Sequence, residues 1–196
     1  MQISLCTDAM RTLPLAILLC CLTVSLTTPR ARAADFTPEP GFTLLMNGKN
    51  LDGWQTAKTP SAEPLEGKTE AFGGRFKVVD GTLVYDPAVK GNFYIETTRE
   101  FGKDVHIKLD FKPGPKCNND FFLRGTKFDI IPGNKENMND KEGEWSTLEI
   151  IIVGDKVEHK INGETVRTSK TTAPVSRFML RAEFGDIQIK NIRVKE

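Results

Sequence analysis

The sequence predicts an all-β fold, an antiparallel two-sheet jelly-roll sandwich, on three observations. After a linker with Pro38 and Pro40, short runs of alternating apolar and polar residues follow one another, broken by Gly, Pro, Asn and Asp. No stretch keeps a helical period for three turns. The steps Asp80-Gly81, Gly154-Asp155 and Asn162-Gly163 stand between strand-like runs. Gly and Asn accept the positive φ that primed hairpin turns require.

In chain order, Phe42–Met46 opens the strand pattern, and Arg75–Val79 and Thr82–Tyr85 flank the Asp80-Gly81 turn. Phe93–Glu96 is a short aromatic and β-branched run, and Val105–Lys112 alternates strictly. Asp120–Arg124 and Lys127–Ile131 follow, and then Thr147–Val153, Lys156–Ile161 and Glu164–Thr168 are joined by the two remaining turns. Arg177–Arg181 and Ile187–Lys195 close the chain. A dozen strands at this spacing are too many for one open sheet and imply two packed sheets. Residues 55–74 and 132–145 carry no strand pattern, and loops that long tend to be functional or disordered.

The amino end stands apart. Leu13 to Val24 is apolar, shorter than the roughly 20 residues that cross a bilayer, and is followed by Ala31-Arg32-Ala33, the small-x-small form that signal peptidase reads. Residues 1–33 are therefore expected to be a signal peptide, 34–40 a linker and 41–196 one sandwich domain, exported to the periplasm or the exterior. Arg11 directly precedes the apolar run, which makes Met10 the expected initiator.

Cleavage there removes three of 27 bases and one of 26 acids, leaving 24 and 25. A near-neutral domain lacks the basic excess that marks nucleic-acid binders and the polybasic stripe that binds anionic lipid. The expected partner is a small carbohydrate or glycoside, with no nucleic acid and no membrane span in the mature form. Cys6, Cys20 and Cys21 leave with the signal, so Cys117 stands alone as a packing residue and stability rests on the core.

Alternation sorts side chains by face. Val105, Ile107, Leu109 and Phe111 go inward, leaving His106, Lys108 and Asp110 outside. Phe121 and Leu123 go inward, with Asp120, Phe122 and Arg124 outside; Phe128 and Ile130 go inward, with Lys127 and Asp129 outside. Were these strands neighbours in one sheet, its outer face would carry acids, bases, a His and an aromatic, a surface suited to a sugar. The plainer reading is the wet side of a half-buried sheet with cross-strand charge pairs. His106 and His159 lack metal-ligand spacing and read as surface strand residues. Asn134–Glu144 is rich in oxygen ligands without the order of a calcium loop. Trp145 reads as core or sheet-edge packing, whereas Trp54, after a tight turn, suits either packing or stacking on a sugar. No Ser-His-Asp order, phosphate loop, Cys-x-x-Cys or dinucleotide glycine pattern is present.

Three stretches together resemble the 3-keto-disaccharide hydrolase domain family. Gly41–Trp54 is similar to its opening Leu-Phe-Asn-Gly-Lys-Asp-Leu-x-Gly-Trp, Gly143–Ile150 to its Gly-Glu-Trp-Asn-x-x-Glu-Ile, and Phe184–Lys195 to its final strand. The resemblance implies a concanavalin A-like fold over residues 41–196. At the centre the chain departs: where the family shows Ala-Asn-Ser-Gly-Ile-Phe-x-Arg and then Glu-Val-Gln, it has Cys117–Arg124 and Phe128-Asp129-Ile130. Arg124 is retained, Asp129 stands at the family's Glu, and Asn119-Asp120 replaces Ser-Gly.

The resemblance implies cleavage of a glycoside already oxidised to a ketone at carbon 3, which acidifies the carbon 2 hydrogen. Such chemistry needs a base, an electropositive group at the enolate oxygen and a proton donor. The expected base is Asp129 or Glu96, with His106 as an alternate, and Arg124 with Lys127 would stabilise the enolate. Trp54 or Phe122 would stack on the sugar, with Asn118, Asn119 and Asp120 as further substrate contacts. A divalent cation could take the electrophile's role; no other cofactor is expected. The same sandwich serves as a non-catalytic carbohydrate-binding module, and a perturbed acid or base in a polar pocket separates the two readings.

Overall fold

The computed structural model describes residues 36–102, 104–134 and 141–196. The expected signal peptide, three of the four cysteines and most of the Asn134–Glu144 run lie outside them. Among the described residues the fold is all-β, without a helix. The strands are β1 (Thr43–Leu44), β2 (Trp54–Ala57), β3 (Glu70–Ala71), β4 (Phe76–Val79), β5 (Thr82–Tyr85), β6 (Phe93–Thr97) and β7 (Val105–Pro113). They continue with β8 (Asn118–Leu123), β9 (Thr126–Ile130), β10 (Ser146–Val153), β11 (Lys156–Ile161), β12 (Glu164–Lys170), β13 (Met179–Phe184) and β14 (Ile187–Lys195).

Two antiparallel sheets form a jelly-roll sandwich. One has nine strands in the order β12-β11-β10-β7-β14-β5-β4-β3, with β1 beside β14; the other has five, in the order β2-β6-β13-β8-β9. β2 and β3 lie in the segment that showed no strand pattern. Their four and two residues are too few for alternation to register.

Alternation builds the core. Ile107, Leu109 and Phe111 of β7 and Leu148 of β10 are fully buried and face Phe121, Phe128, Ile130 and Leu180 from the smaller sheet. Each fully buried apolar side chain contributes roughly 1.5–3 kcal/mol. Two of the hairpins form as the sequence requires: Asp80 and Gly81 between β4 and β5, and Asn162 and Gly163 between β11 and β12, all have positive φ.

The sheet assignment corrects one expectation. β7 belongs to the nine-stranded sheet, whereas β8 and β9 belong to the five-stranded one. His106, Lys108 and Asp110 therefore lie on the opposite outside of the sandwich from Asp120 and Asp129. His106 pairs there with Glu149 at 2.9 Å, and the Phe42 ring meets it edge-on at 4.9 Å.

His159 is also not a surface residue. It is fully buried, stacked on Phe128 of the other sheet at 4.8 Å, and burial with the neighbouring Arg167 charge pushes its pKa down to about 3. Trp145 is partly exposed on the larger sheet, with the ammonium groups of Lys190 and Lys112 at 4.1 and 5.3 Å from its ring. The expected linker reaches back onto the same sheet, where Glu39 binds Arg193 through both oxygens at 2.6 and 2.9 Å. Cys117 is buried, and burial pushes its thiol up to about 12, which leaves it a packing residue.

Candidate functional site

The outer face of the five-stranded sheet gathers most of the candidates, because its registers align them in two cross-strand rows. In one row Gln55, Glu96, Met179, Phe122 and Lys127 are successive partners across β2, β6, β13, β8 and β9. In the next, Tyr94, Arg181, Asp120 and Asp129 stand side by side. Direct cross-strand neighbours lie about 4.5–5.5 Å apart at Cβ, so the second row forces two carboxyl groups together.

The Asp120–Asp129 pair is the chemical centre of this face. Asp120 is fully buried, although it points outward, because Arg181 and Lys127 lie over it. Arg181 Nη1 donates to Asp120 Oδ2 at 2.7 Å, Lys127 Nζ stands 3.7 Å from Asp120 Oδ1, and Lys127 also forms a close ion pair with Asp129. Two carboxylates this close cannot both ionise freely. Burial first, and then the hydrogen bond to Asp129, push Asp120 up to about 6. Burial acts the same way on Asp129, but hydrogen bonds from Asp120 and Lys127 outweigh it and hold Asp129 below the usual carboxylate range. Below about pH 6 the buried member of the pair thus holds a proton while the half-buried member stays ionised.

This arrangement has a signature in stability. The ordinary Asp120 pKa is 3.8, so between about pH 4 and 6 the folded protein keeps a proton that the unfolded chain has released. The contribution of this group is complete below pH ~4 and falls as pH rises through about 6. Asp120→Asn should flatten that part of the pH profile. Urea midpoints at pH 4, 5, 6 and 7 measure it, and an unchanged slope would place the proton elsewhere.

Aromatic rings border the pair. Tyr94 and Phe122 lie 6.4 Å apart with tilted planes, and the Arg181 guanidinium stands 5.7 Å from the Tyr94 ring. Arg181 is further fixed by Asn92 at 2.8 Å and Glu183 at 2.7 Å.

Beside the pair opens a cleft of about 510 Å³, bordered by Lys58, Glu96, Phe122, Arg124 and Arg177. Arg124 reaches it from the two-residue β8–β9 turn, where Arg124 and Gly125 have φ of 47° and 76°. Its backbone N–H donates to Ser176 Oγ at 2.6 Å and its Nε to the Ala173 carbonyl at 2.7 Å. Glu96 accepts from Gln55 Nε2 at 2.8 Å. A second depression of about 500 Å³, between β10, β11 and β12, is bordered by Ile151, Val153 and Val157 and holds no acid pair.

The structure thus brings Asp129, Asp120, Lys127, Phe122 and Glu96 onto one face, with Arg124 at the end of the adjoining cleft. It removes three others. His106 lies on the other sheet. Trp54 is fully buried, donates through Nε1 to the Leu45 carbonyl at 2.8 Å and meets Phe178 edge-on at 6.2 Å, so it cannot stack on a sugar. Asn119 is also fully buried. Its amide donates to the Phe184 carbonyl and accepts from the Glu183 N–H, filling the register shift in β13. Asn118, opposite Phe184, is half-buried at the far end of β8.

Sequence reasoning missed Arg181, Arg177, Tyr94 and Lys58. The alternation Leu180-Arg181-Ala182 signals that Arg181 points outward, but only the register shows that it faces Asp120. Among the described residues, no group of three or more His, Cys, Asp or Glu is placed to hold a metal ion.

Comparison with known proteins agrees with the geometry of the fold. A protein from Parabacteroides distasonis named as a candidate glycosyl hydrolase superimposes with a TM-score of 0.61 at 17% identity, over 82% of this chain and 98% of its own. The carbohydrate-binding module CBM66 from Bacillus subtilis matches with a TM-score of 0.51 at 11% identity, covering 74% and 96% of the two chains. The transglycosylase Crh5 in complex with NAG gives 0.54 at 13%, covering 80% and 84%. Comparison with curated proteins yields no match. The model of the 3-keto-alpha-glucoside-1,2-lyase-like domain matches residues 41–136 and 127–195, nearly the whole of the sandwich, and the chain belongs to that family.

Proposed function

We propose that this is an exported carbohydrate-active domain that cleaves 3-keto-glycosides by elimination followed by hydration, with Asp129 as the base. The observation that carries the reading is the Asp120–Asp129 pair, half-buried on a sheet face beside the neighbouring rings of Tyr94 and Phe122. Family membership supports the substrate class. A module that only binds sugar needs stacking rings and hydrogen-bonding groups, but no carboxyl group perturbed to about 6.

The ketone at carbon 3 makes the carbon 2 hydrogen acidic. Asp129 removes that proton, the electron pair moves onto the carbon 3 oxygen as an enolate, and the carbon 1–oxygen bond to the aglycone breaks as the enolate collapses. Lys127, in the adjoining row, supplies positive charge at the developing enolate. The proton taken up by the pair is then available to the departing aglycone oxygen. Water adds at carbon 1 of the unsaturated ketone, and a proton returns to carbon 2, so the net reaction is hydrolysis. Phe122 and Tyr94 hold the sugar ring, and the aglycone extends into the cleft.

The reading is tested by incubating residues 34–196 with 3-keto-glycosides and their unoxidised parents and following aglycone release by mass spectrometry. Release from the keto sugars alone supports it; release from neither leaves a binding module. Export rests on the apolar run and the Ala31-Arg32-Ala33 site. A mature amino terminus at Ala34 in the exported fraction is the expected result, and retention of residues 1–33 there would contradict it. No helix among the described residues is long and apolar enough to cross a membrane.

A further inference from the structure

We infer that the cleft beside the acid pair is an anion-accepting subsite, so that the preferred substrates carry a carboxylate on the aglycone. This deepens the reading given above and rests on it for the placement of the sugar. Three bases border the cleft, Lys58, Arg124 and Arg177, against one acid, Glu96. Among the described residues, even with Glu100, which binds Arg177 at 2.7 Å, bases exceed acids by three to two.

Arg177 has capacity to spare. Its Nε is buried, stands 3.9 Å from Glu96 Oε1 and makes no hydrogen bond among the described residues. A guanidinium N–H left in this state is an unsatisfied donor.

The backbone gives a second, independent indication. Among the described residues, seven besides glycine have positive φ: Lys58, Phe72, Asp80, Lys116, Arg124, Asn162 and Asn191. Asp and Asn enter that region readily. Of the four that do not, three are bases, and two of these, Lys58 and Arg124, border this cleft. Long basic side chains held in a disfavoured backbone conformation at the border of one cleft mark a placed function. The class of anion follows from Glu96: a carboxylate brings one negative charge beside it, whereas a phosphate monoester brings nearly two and is repelled more strongly.

The test compares two 3-keto-glucosides that differ only in the aglycone, hydroquinone against 4-hydroxybenzoate, alongside binding of their unoxidised parents by calorimetry. The expected result is a kcat/KM about tenfold higher for the 4-hydroxybenzoate substrate, the size of one charge-assisted hydrogen bond. That ratio should fall towards one in 0.5 M NaCl and in the variant Lys58→Gln/Arg177→Gln, with thermal melts confirming that the variant folds. If neither keto sugar is turned over while the carboxylate parent still binds more tightly than the neutral one, the reaction is wrong and the anion subsite stands. Equal binding of the two parents, with equal kcat/KM wherever turnover occurs, overturns the subsite.

Discussion

Asp129→Asn is expected to lower kcat for 3-keto-glycoside cleavage by about 10³-fold, within the range a positioned general base contributes, with little change in the thermal melt. The amide keeps the size and the acceptor oxygen that meets Lys127, so packing on the sheet face survives while the basic lone pair is lost. The substitution carries a second readout. Once the neighbouring carboxylate is gone, one of the causes that raise Asp120 is gone with it, and its pKa should fall from about 6. Carboxyl chemical shifts followed against pH would record this. A folded variant that retained most of its turnover would transfer the base role to Glu96, the other acid on the same face.

Trp54→Ala should do the reverse, with a large loss of stability and turnover retained per folded molecule. Removing a buried Trp side chain costs about 3–5 kcal/mol, and the Leu45 carbonyl loses the indole N–H that it accepts at 2.8 Å. Against a total of roughly 5–15 kcal/mol for an ordinary domain, much of the folded margin disappears. Urea denaturation measures the first part, and kcat/KM corrected for the folded fraction measures the second. Trp54→Phe keeps most of the apolar volume and should fall between the two proteins. A Trp54→Ala variant that melted normally but no longer recognised sugar would return Trp54 to the binding surface.

These two residues show what the sequence could and could not disclose. Alternation assigns each side chain to a face of its own strand, and for β7, β8 and β9 it did so correctly. It does not say which sheet a strand joins. Pairing across more than 50 residues of chain decides that, as when β13 inserts between β6 and β8. His106 and Asp129 therefore looked like neighbours although they lie on opposite outsides of the sandwich. Asp120 was legible as outward-facing, but its burial was not, because Arg181 and Lys127 come from other strands. Asn119 falls inward by the same alternation as Phe121 and Leu123; what the sequence hid is the bulge in β13 that satisfies its buried amide. Trp54 follows a turn, where alternation has not yet begun, so nothing local separates a core indole from a stacking one.

The most direct test of the account is cleavage of a 3-keto-glucoside in D₂O, with the released sugar examined by NMR at early times, before free keto sugar exchanges unaided. Elimination through Asp129 requires the carbon 2 proton to leave and a solvent proton to return, so the account predicts deuterium at carbon 2 in each product molecule. Product that keeps its original hydrogen at carbon 2 would show direct displacement at carbon 1, and the role given to the Asp120–Asp129 pair would be wrong.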